Sequence, residues 1–582
     1  MTEAFRYRPG QQKAIDDIIA AWDSGYSTVL LDAPTGSGKT LIASHLARRV
    51  WDTKGLNGYF TSPLTTLISQ VEHDPLVGPS ISTVMGRRNY ECDWLMNGGS
   101  SIIWPYPPPH TADDAPCVVG FTCPRCRGSG YDLETQQLCP KKVRNYMVCP
   151  SYQKGHCEYY RRKEAAIANE FSGMTLSYLL QVTGDLEDED APFGRRDFLF
   201  IDEAHNLDRA GIQELSFNIG PKTVDGHGWA EFWEERIRPR FDGLQFLEQQ
   251  DVLDIMGRAR TPIGSALNDA RRNYKEAESS RSAYRELKKL ANLRAKVNHI
   301  LSNPSSEWLM VPRIPLTGKR TEYAEVGPVT SREFLTTHLW PIAPHRVLSS
   351  GTFGDIDEYL QEVGLSSDSV KVVRIPSSFP PKNGPIFLES TTRLSHNNMD
   401  EGMKLILKRL HEILEKESDR GVIHVNSYKL AKTIRHGLDR DFGERLVGHG
   451  SDDRNDSLDT WLNADLPGLV FVAVAMTDGL DLHDELARWQ VIVKCPWPDI
   501  SDARVIRRRR MPDGDRWYRA TTARQLWQGA GRVVRSAEDV GRTYVLDGSA
   551  CDLMMETANE TGMYRIAAGK AQTPRRTRPW EV

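Results

Sequence analysis

The sequence predicts an α/β protein built around two parallel sheets. Short apolar runs rich in β-forming residues recur along the chain, and each run ends in a small or polar residue. The runs are Thr28–Asp32, Tyr59–Thr61, Phe198–Asp202, Arg346–Ser349, Val422–Val425, Val470–Ala475, Val491–Lys494 and Thr543–Leu546. Near-continuous hydrophobic runs of this length are typical of strands that helices cover on both faces. Helical patterns separate the runs, which favours parallel connections and one sheet in each of residues 1–370 and 371–582.

Length and composition favour a globular protein of several domains. A chain of 582 residues is too long for one ordinary core, and 39% hydrophobic with 26% charged residues is typical of soluble proteins. Because no apolar run is long enough to cross a membrane and residues 1–12 lack a signal-peptide core, we expect a cytoplasmic protein without a membrane partner. The net charge of −4 neither supports nor excludes nucleic acid, since basic residues can be confined to one channel. Basic runs such as Arg507–Arg510 are more typical of solvated faces.

Two stretches interrupt the alternation of strands and helices. Seven of the nine cysteines lie between Cys92 and Cys157, in a segment that is also rich in Pro and Gly. Clustered cysteines in a protein that is not exported indicate metal or redox chemistry, whereas Cys495 and Cys551 stand alone and are predicted to be buried thiols. The second stretch runs from Asn206 to Trp340 and has a largely helical pattern.

A glycine-rich loop follows the first apolar run. The segment Pro34-Thr35-Gly36-Ser37-Gly38-Lys39-Thr40 matches the spacing of phosphate-binding loops, with Ala33 in place of the first glycine. Its glycines let backbone N–H groups surround phosphate oxygens, while Lys39 can reach the β and γ phosphates and Thr40 can ligate Mg²⁺. A turn with an accidental lysine is the alternative, and the strand before the loop and the helical pattern after it disfavour that alternative. The loop predicts a nucleotide site that uses ATP and Mg²⁺.

A pair of carboxylates ends the apolar strand Phe198–Ile201. Asp202 and Glu203 open the segment Asp-Glu-Ala-His. At a strand end, Asp202 can hold the Mg²⁺ shell while Glu203 polarises an attacking water. A surface turn is the alternative for this segment alone, but its combination with a phosphate-binding loop favours catalysis.

The C-terminal region carries a third motif, Gln528-Gly529-Ala530-Gly531-Arg532-Val533-Val534-Arg535. Arg532 and Arg535 are three residues apart, so both lie on one helix face and can reach a γ-phosphate across a domain cleft. A surface arginine pair is the alternative, and Gln528 with its glycines disfavours it. Two weaker segments, Ser350-Gly351-Thr352 and Asp478-Gly479-Leu480-Asp481, follow other strands and complete an ordered set.

In this order and spacing the motifs resemble those of superfamily 2 helicases of the XPD/DinG iron–sulfur branch, over nearly the whole chain. The segments that carry the resemblance are Arg8-Pro9-Gly10-Gln11 (Q motif), Thr61-Ser62-Pro63-Leu64 (motif Ia), Gly86–Cys92 and Cys157–Tyr160 (the two ends of the cluster domain), Val347–Phe353 (motif III) and Asp478–Asp481 (motif V). The resemblance implies that Arg8 and Gln11 lie at the adenine base and that Asp478, Gly479 and Asp481 line the nucleotide site. Motifs III and V depart conservatively from the family pattern.

The resemblance also implies a domain plan with two RecA-like parallel-sheet motor domains. The first domain would comprise residues 1–90, 161–207 and 336–370, interrupted by an iron–sulfur domain at 91–160 and a helical Arch-like insertion at 208–335; the second would comprise 371–582. A compact chain with a reduced insertion favours a bacterial or phage source.

The cysteine-rich segment offers more thiols than one [4Fe–4S] cluster needs, because such a cluster takes four. The resemblance assigns Cys92 and Cys157, and Cys117 and Cys149 are the preferred partners. The alternates are Cys123, Cys126 and Cys139. The pair Cys123-Pro124-Arg125-Cys126 with Cys139 also fits the start of a zinc site, either beside the cluster or in its place, although zinc ribbons normally carry two such pairs.

We expect the chain to be a monomeric, ATP-dependent DNA helicase that moves on single-stranded DNA and opens forked duplexes. Its 5′→3′ direction is implied by the resemblance alone. The alternatives are a nucleic-acid-binding redox or assembly switch that binds ATP without processive unwinding, and a helicase directed to RNA. An intact motif from Gln528 to Arg535 disfavours the switch, since a passive switch needs no γ-phosphate sensor.

Overall fold

In the computed structural model, the described residues are 10–34, 36–93, 96, 111–115, 149–183, 193–276, 281–313, 323–377, 379–450, 452–464, 466–474, 484–534 and 538–559. Their strands are β1 (Thr28–Asp32), β2 (Gly58–Ser62), β3 (Ser82–Thr83), β4 (Phe171–Thr175), β5 (Phe198–Ile201), β6 (Phe217–Ile219), β7 (Trp308–Arg313), β8 (Tyr323–Pro328), β9 (His345–Ser350), β10 (Val370–Arg374), β11 (Ile386–Thr392), β12 (Gly421–Val425), β13 (Leu446–Gly448), β14 (Val470–Val474), β15 (Trp489–Ile492) and β16 (Arg542–Asp547).

Helices alternate with these strands along the chain. They are α1 (Gln11–Asp23), α2 (Lys39–Lys54), α3 (Thr65–His73), α4 (Pro150–Gln153), α5 (Glu158–Ala168), α6 (Leu176–Val182), α7 (Leu207–Leu215), α8 (Trp229–Phe232), α9 (Gln249–Glu276), α10 (Arg281–Ser302), α11 (Arg332–Phe334), α12 (Ile356–Val363), α13 (Met399–Lys416), α14 (Tyr428–Phe442), α15 (Arg454–Asn463), α16 (Ala503–Arg509), α17 (Gly514–Ala530) and α18 (Gly548–Thr557). No helix in the described part of the chain is both long and apolar enough to cross a membrane.

Two parallel sheets dominate the fold. The first has the order β10-β1-β9-β5-β2-β4-β3 and the second has the order β11-β16-β15-β12-β14-β13. In the first sheet β1, β2 and β5 are buried along their whole length, as strands between two helical layers must be. Because β9 pairs with both β1 and β5, the carboxyl ends of these three strands lie side by side. The prediction of an α/β fold with two parallel sheets is confirmed.

The boundary between the two sheets lies later than the sequence indicated. Strand β10 pairs with β1 in the first sheet through Arg374, so the predicted division between residues 370 and 371 falls inside a strand. The sequence signal was weak because β10 is an edge strand in which Lys371 and Arg374 are exposed, so it lacks the continuous apolar run of a central strand.

The insertion is not wholly helical. Helices α9 and α10 pack along each other, but β6, β8 and β7 form a three-stranded antiparallel sheet against them. This sheet escapes prediction because Pro312 stands in β7 and Gly327-Pro328 end β8, and both residue types are depleted in strands. The second long helix, α10, buries one apolar stripe, with Leu290, Val297 and Ile300 in the core of this body.

Helix α16 of the second domain contacts both the insertion and the first domain. It carries Arg507–Arg509 of the basic run Arg507–Arg510, which was predicted to be a solvated face. Arg504 and Arg507 pair with Glu325 and Glu307 of the insertion at 3.2 and 3.0 Å, whereas Arg508 is buried and pairs with Asp513 at 2.5 Å. Arg509 and Arg510 remain on the surface, with 40% and 60% of their side chains exposed. The prediction is wrong for the first half of this run, because a run of like charges gives no sign of carboxylates supplied by another domain.

Candidate active site

The glycine-rich loop lies between β1 and α2, and its conformation requires glycine at two positions. Gly36 and Gly38 both have φ near +79°, in the left-handed region that other residues rarely adopt. A Cβ added at Gly38 would stand 2.5 Å from the side-chain nitrogen of Gln11. Gly38 directly precedes α2, which begins at Lys39, so the loop presents a helix N-terminus with Thr40 in the first turn. Such an N-terminus favours phosphate.

Helix α1 holds the loop from the other side. Gln11 is 1% exposed, and its Nε2 donates a 2.8 Å hydrogen bond to the carbonyl oxygen of Ser37. The backbone N–H of Ser37 donates to the carbonyl of Pro34 at 3.0 Å. The Ser37 hydroxyl is buried and has no hydrogen-bond partner within the described residues. A buried hydroxyl of this kind suits a loop that receives a phosphate oxygen.

Lys39 and the two predicted carboxylates are in contact. Its Nζ lies 3.2 Å from Oε1 of Glu203 and 4.0 Å from Oδ1 of Asp202. The side chains of Lys39 and Asp202 are only 10% and 3% exposed. The structure therefore brings together the cation and both acids that the sequence assigned to phosphate, Mg²⁺ and water.

Glu203 has an unusual backbone conformation. Its φ of 52° and ψ of 41° place a non-glycine residue in the left-handed region, which is uncommon and concentrates at functional sites. The N–H of Glu203 donates to Oδ1 of Asp202 at 2.9 Å. This turn directs consecutive carboxylates from the end of β5 towards the loop.

The two acids have opposite electrostatic environments. Burial raises the pKa of Asp202 to about 6, although the charge of Lys39 opposes that rise. Burial would also raise the pKa of Glu203, but the charges of Lys39, His205 and Arg532 outweigh it and lower this pKa to about 2. Glu203 is therefore ionised at neutral pH, in the state that can accept a proton or orient a water.

His205 connects the acidic turn to the end of β9. Its Nδ1 lies 3.0 Å from Oγ of Ser350, and its Nε2 lies 2.8 Å from the side-chain nitrogen of Asn206. The hydroxyl of Ser350 in turn donates a hydrogen bond to the carbonyl of Thr352 and accepts one from its backbone N–H. The weak Ser350-Gly351-Thr352 segment of the sequence thus adjoins the acidic turn.

Arg532 brings the second sheet to the same place. It follows α17, and its charge helps to lower the pKa of Glu203 on the first sheet. Nε2 of Gln528 is buried and has no hydrogen-bond partner within the described residues. The predicted site residues Arg8, Thr35, Asp478, Gly479, Asp481 and Arg535 lie outside the described residues.

Three of the four assigned cysteines are among the described residues, and two of them adjoin each other. The sulfur of Cys149 receives backbone N–H groups of Ser151 and Tyr152, and that of Cys157 receives the N–H of Tyr160. Burial raises both thiol pKa values, and each N–H opposes the rise. Backbone N–H groups directed at sulfur stabilise thiolates, so these two positions fit metal ligation.

The rest of the predicted ligand set is divided. Cys92 is partly exposed, while Cys117 and the alternates Cys123, Cys126 and Cys139 lie outside the described residues. Within the described ranges, no group of three or more His, Cys, Asp or Glu side chains is placed to hold a metal ion. Cys495 and Cys551 are buried, at 0% and 4% exposure, so the prediction of buried thiols is confirmed. They do not stand alone, however, because both belong to one core cluster of the second domain.

A basic cavity of about 540 Å³ lies between the start of the cysteine segment and α10 of the insertion. Its lining includes Arg88, Arg285, Lys288, Lys289, Asp113 and Tyr284. Asp113 pairs with Arg88 at 3.2 Å and with Lys288 at 3.0 Å. Four cations with one carboxylate give the cavity a positive balance, which suits a phosphate backbone.

Comparisons with known proteins agree with this geometry. The helicase C-terminal domain family matches residues 410–552, and the type III restriction enzyme res subunit family matches residues 4–75. A regulator of telomere elongation helicase 1 homolog from Culex quinquefasciatus is 35% identical over 94 residues, which make up 14% of this chain and 10% of that protein. The chain therefore matches about a tenth of the length of this curated relative.

Solved structures match over nearly the full length. Xpd4 of S. tokodaii superimposes with a TM-score of 0.56 at 15% identity, covering 95% of this chain and 98% of that one. An XPD helicase structure gives a TM-score of 0.57 at 14% identity, covering 96% and 99%. At such identities these two structures show a common fold. Together with the two family matches, they show what this chain resembles. It is similar to XPD/DinG-like superfamily 2 helicases.

The predicted resemblance to XPD/DinG-like helicases is thus confirmed, while a bacterial or phage source gains no support. The curated relative named above comes from a mosquito.

Sequence reasoning missed two buried polar clusters near the site. In the first, Gln490 is fully buried and donates to the carbonyls of Gly529 and Ala530 at 2.9 and 3.2 Å. The side-chain oxygen of Gln490 lies 3.0 Å from Nε2 of His424. In the second, Glu358 and Glu362 meet Arg524 across the two domains. Single polar residues inside apolar or helical patterns carry no spacing signal, so only the fold reveals them.

Proposed function

We propose that this chain is an ATP-dependent DNA helicase that translocates on single-stranded DNA. The observation that carries the proposal is the convergence of Lys39 and Glu203 from the first sheet with Arg532 from the second. A phosphate-binding cation, an ionised acid and a cation from a separate domain are the parts that ATP hydrolysis coupled to domain motion requires. The names of the relatives and the family matches support a helicase rather than another ATPase.

The chemistry follows from these positions. The loop around Gly36 and Gly38 would hold the phosphates with its N–H groups, and Lys39 would exchange its bond to Glu203 for a β- or γ-phosphate oxygen. Glu203, released from that bond, would orient the attacking water and accept its proton. Thr40 and Asp202 would hold Mg²⁺, which neutralises phosphate charge when bound.

Hydrolysis would be linked to movement through the cleft between the two sheets. Arg532 and Gln528 contact the γ-phosphate only while it is attached, so its loss would release the second domain from the first. Repeated closing and opening of the two domains, each gripping the phosphate backbone in turn, would step the protein along the strand. Arg535, Asp478, Gly479 and Asp481 are proposed to complete this cleft.

The basic cavity supports single-stranded DNA as the partner. It lies between the cysteine segment and the insertion, where Arg88 and Lys288 face the same space. We propose that one strand of a forked duplex passes here, with Tyr284 available to stack on a base. The 5′→3′ direction and a monomeric state are proposed with it.

The cysteine segment is proposed to hold a [4Fe–4S] cluster through Cys92, Cys117, Cys149 and Cys157. The N–H groups directed at the sulfurs of Cys149 and Cys157 support thiolate ligands there. The cluster would order this Pro- and Gly-rich segment when bound. A zinc site that uses Cys123, Cys126 and Cys139 remains the rival or additional metal site.

Strand displacement by the purified chain tests the proposal. We expect ATP-dependent opening of a 5′-tailed DNA duplex, little opening of a 3′-tailed one, and loss of both hydrolysis and unwinding in Lys39→Ala with DNA binding retained. Lys404→Ala is the matched control, since that side chain is 77% exposed on α13. Unwinding that persists in Lys39→Ala would refute the mechanism, ATP binding without strand displacement would indicate the switch, and preference for an RNA duplex would indicate the RNA-directed alternative.

A further inference from the structure

A buried arginine joins the two motor-type domains away from the nucleotide loop. Arg524 of α17 is 4% exposed, and its Nη2 donates to Glu362 Oε2 at 2.7 Å and to Glu358 Oε2 at 3.2 Å. Both acids belong to α12 of the first domain and are 6% and 0% exposed. One guanidinium therefore bridges two buried carboxyl groups across the domain boundary.

Helix α12 is itself fixed to the acidic turn of the nucleotide site. Tyr359, which lies between Glu358 and Glu362 in the sequence, is fully buried. Its hydroxyl donates a 2.8 Å hydrogen bond to the carbonyl of Ala204, the residue after Glu203. The guanidinium of Arg524 lies 5.7 Å from the centre of the Tyr359 ring. Any displacement of Arg524 against α12 would therefore also displace it against the turn that carries Glu203.

Helix α17 also leads from Arg524 to the proposed γ-phosphate sensor, which consists of Gln528 and Arg532. Gln528 lies four residues after Arg524, one helical turn along the same face of α17, and Arg532 follows where the helix ends. Gln490 fixes that end by donating to the carbonyls of Gly529 and Ala530. Because α17 is continuous from Arg524 to Ala530, the position of Arg524 determines that of Gln528 and that of the turn from which Arg532 extends.

We propose that Arg524 is a positioning residue, which aligns Gln528 and Arg532 with Glu203 through α12 and α17 and thereby gives the site its preference for ATP over ADP. The inference rests on the proposed function, since it deepens the role of the same site. Arg524 makes no contact with nucleotide in this scheme.

The energetics favour a positioning role over simple attachment. Without Arg524, the buried acids Glu358 and Glu362 would keep only the more distant Arg508, whose Nη2 lies 4.0 Å from Glu358. Two neighbouring buried acids without a close cation drive the helices apart or force protonation. Arg516 of α17 makes a comparable pair with Asp355, the N-cap residue of α12, at 2.5 and 2.6 Å, but its side chain is 49% exposed. A solvated pair of that kind contributes little to alignment.

The test compares nucleotide affinities rather than rates, because a dissociation constant does not depend on the fraction of active protein. The full-length chain would be titrated with ADP and with a non-hydrolysable ATP analogue in the presence of Mg²⁺. Arg532→Ala serves as the reference that loses the γ-phosphate contact. We expect Arg524→Gln to reduce the ratio of the two affinities by about tenfold, the loss of one charged contact, while Arg524→Lys retains part of it and Arg516→Gln retains all of it.

The outcomes separate the two proposals. An unchanged ratio in folded Arg524→Gln, alongside a reduced ratio in Arg532→Ala, would overturn the positioning role and leave the proposed function intact. An unchanged ratio in Arg532→Ala would overturn the sensor itself and the positioning role with it. If Arg524→Gln does not fold, Glu362→Gln removes the 2.7 Å acceptor instead; a ratio lowered in that variant supports the inference, and a ratio equal to wild type overturns it.

Discussion

Lys39 donates a hydrogen bond of 3.2 Å to the carboxylate of Glu203. The cation that would bind phosphate and the acid that would activate water therefore neutralise each other. A nucleotide that enters the loop must draw Lys39 towards its phosphates, which leaves Glu203 ionised beside the γ-phosphate. The contact thus links substrate binding to the appearance of a free base.

Substitution of Glu203 by Gln is expected to separate binding from hydrolysis. The amide keeps the shape of the side chain but cannot accept a proton, so ATP hydrolysis should fall by about a thousandfold. Removal of a negative charge near the phosphates should leave ATP affinity equal or higher. Single-turnover hydrolysis and equilibrium binding of ATP measure the two effects. Glu401→Gln is the control, since that side chain is 87% exposed on α13, and a Glu203→Gln chain that hydrolyses ATP normally would remove Glu203 from the mechanism.

The nucleotide half of the site could be predicted from sequence because its residues are contiguous. The phosphate loop and the acidic turn each place candidate residues at the end of an apolar run, and the parallel order of β1, β9 and β5 then brings these ends together. Arg532 instead follows helix α17 of the second domain, and its contiguous motif marked it. Spacing along the chain sufficed to name Lys39 and Glu203.

The connections between domains could not be predicted in this way. Arg524 and Glu358 are 166 residues apart in sequence, and each stands in a helical pattern where a charged residue normally faces water. The same reasoning fails for Arg504, whose partner Glu325 comes from a strand that Gly327 and Pro328 conceal. Only the packing of α12, α16 and α17 shows which charges are buried.

Glu358 should make the stability of the chain depend on pH. Burial raises its pKa to about 8, and the like charge of Glu362 adds to that rise, although Arg524 and Arg508 oppose it. A carboxyl whose folded pKa exceeds its unfolded value of 4.5 binds protons more tightly in the folded state. Its contribution to stability is therefore complete below pH 4.5 and is lost as the pH rises towards 8, at up to about 1.4 kcal/mol per pH unit.

Glu358→Gln isolates this contribution because glutamine resembles the protonated acid. The free energy of unfolding of the variant, relative to wild type, should increase between pH 5 and pH 8 and then level off. Denaturant titrations at several pH values measure it. Glu362→Gln on α12 and Asp355→Asn at the N-cap of that helix provide comparisons. A difference between Glu358→Gln and wild type that stays constant over this range would show that Glu358 titrates normally.

Arg504 is expected to hold the insertion against the second motor-type domain. Its Nε donates to the carbonyl of Pro328 at 3.0 Å, and its Nη2 lies 3.2 Å from Glu325. The side chain also packs closely on Gly327, where an added Cβ would stand 2.8 Å from Nη2. Arg504→Ala should lower the free energy of unfolding by about 1.5–3 kcal/mol, the range for hydrogen bonds to charged groups. It should also speed proteolysis at the insertion.

Thermal unfolding and limited proteolysis measure these two effects of Arg504→Ala. Arg509→Ala is the matched control, because Arg509 belongs to the same helix but pairs with Asp515 of its own domain at 2.9 Å. Equal effects of the two substitutions would show that the contact with the insertion contributes nothing of its own.

Loss of one cysteine ligand should remove the proposed cluster. Cys157 precedes α5, and its sulfur receives the N–H of Tyr160, so Cys157→Ser should abolish iron binding without altering the motor-type sheets. Cys551→Ser is the control, since Cys551 is buried in the second domain. Iron, sulfide and zinc would be quantified in chains purified without oxygen. We expect four irons per wild-type chain by the stoichiometry of a [4Fe–4S] cluster, near zero in Cys157→Ser and an unchanged content in Cys551→Ser. Zinc beside the irons would add a second metal site, whereas zinc without iron would contradict the cluster assignment.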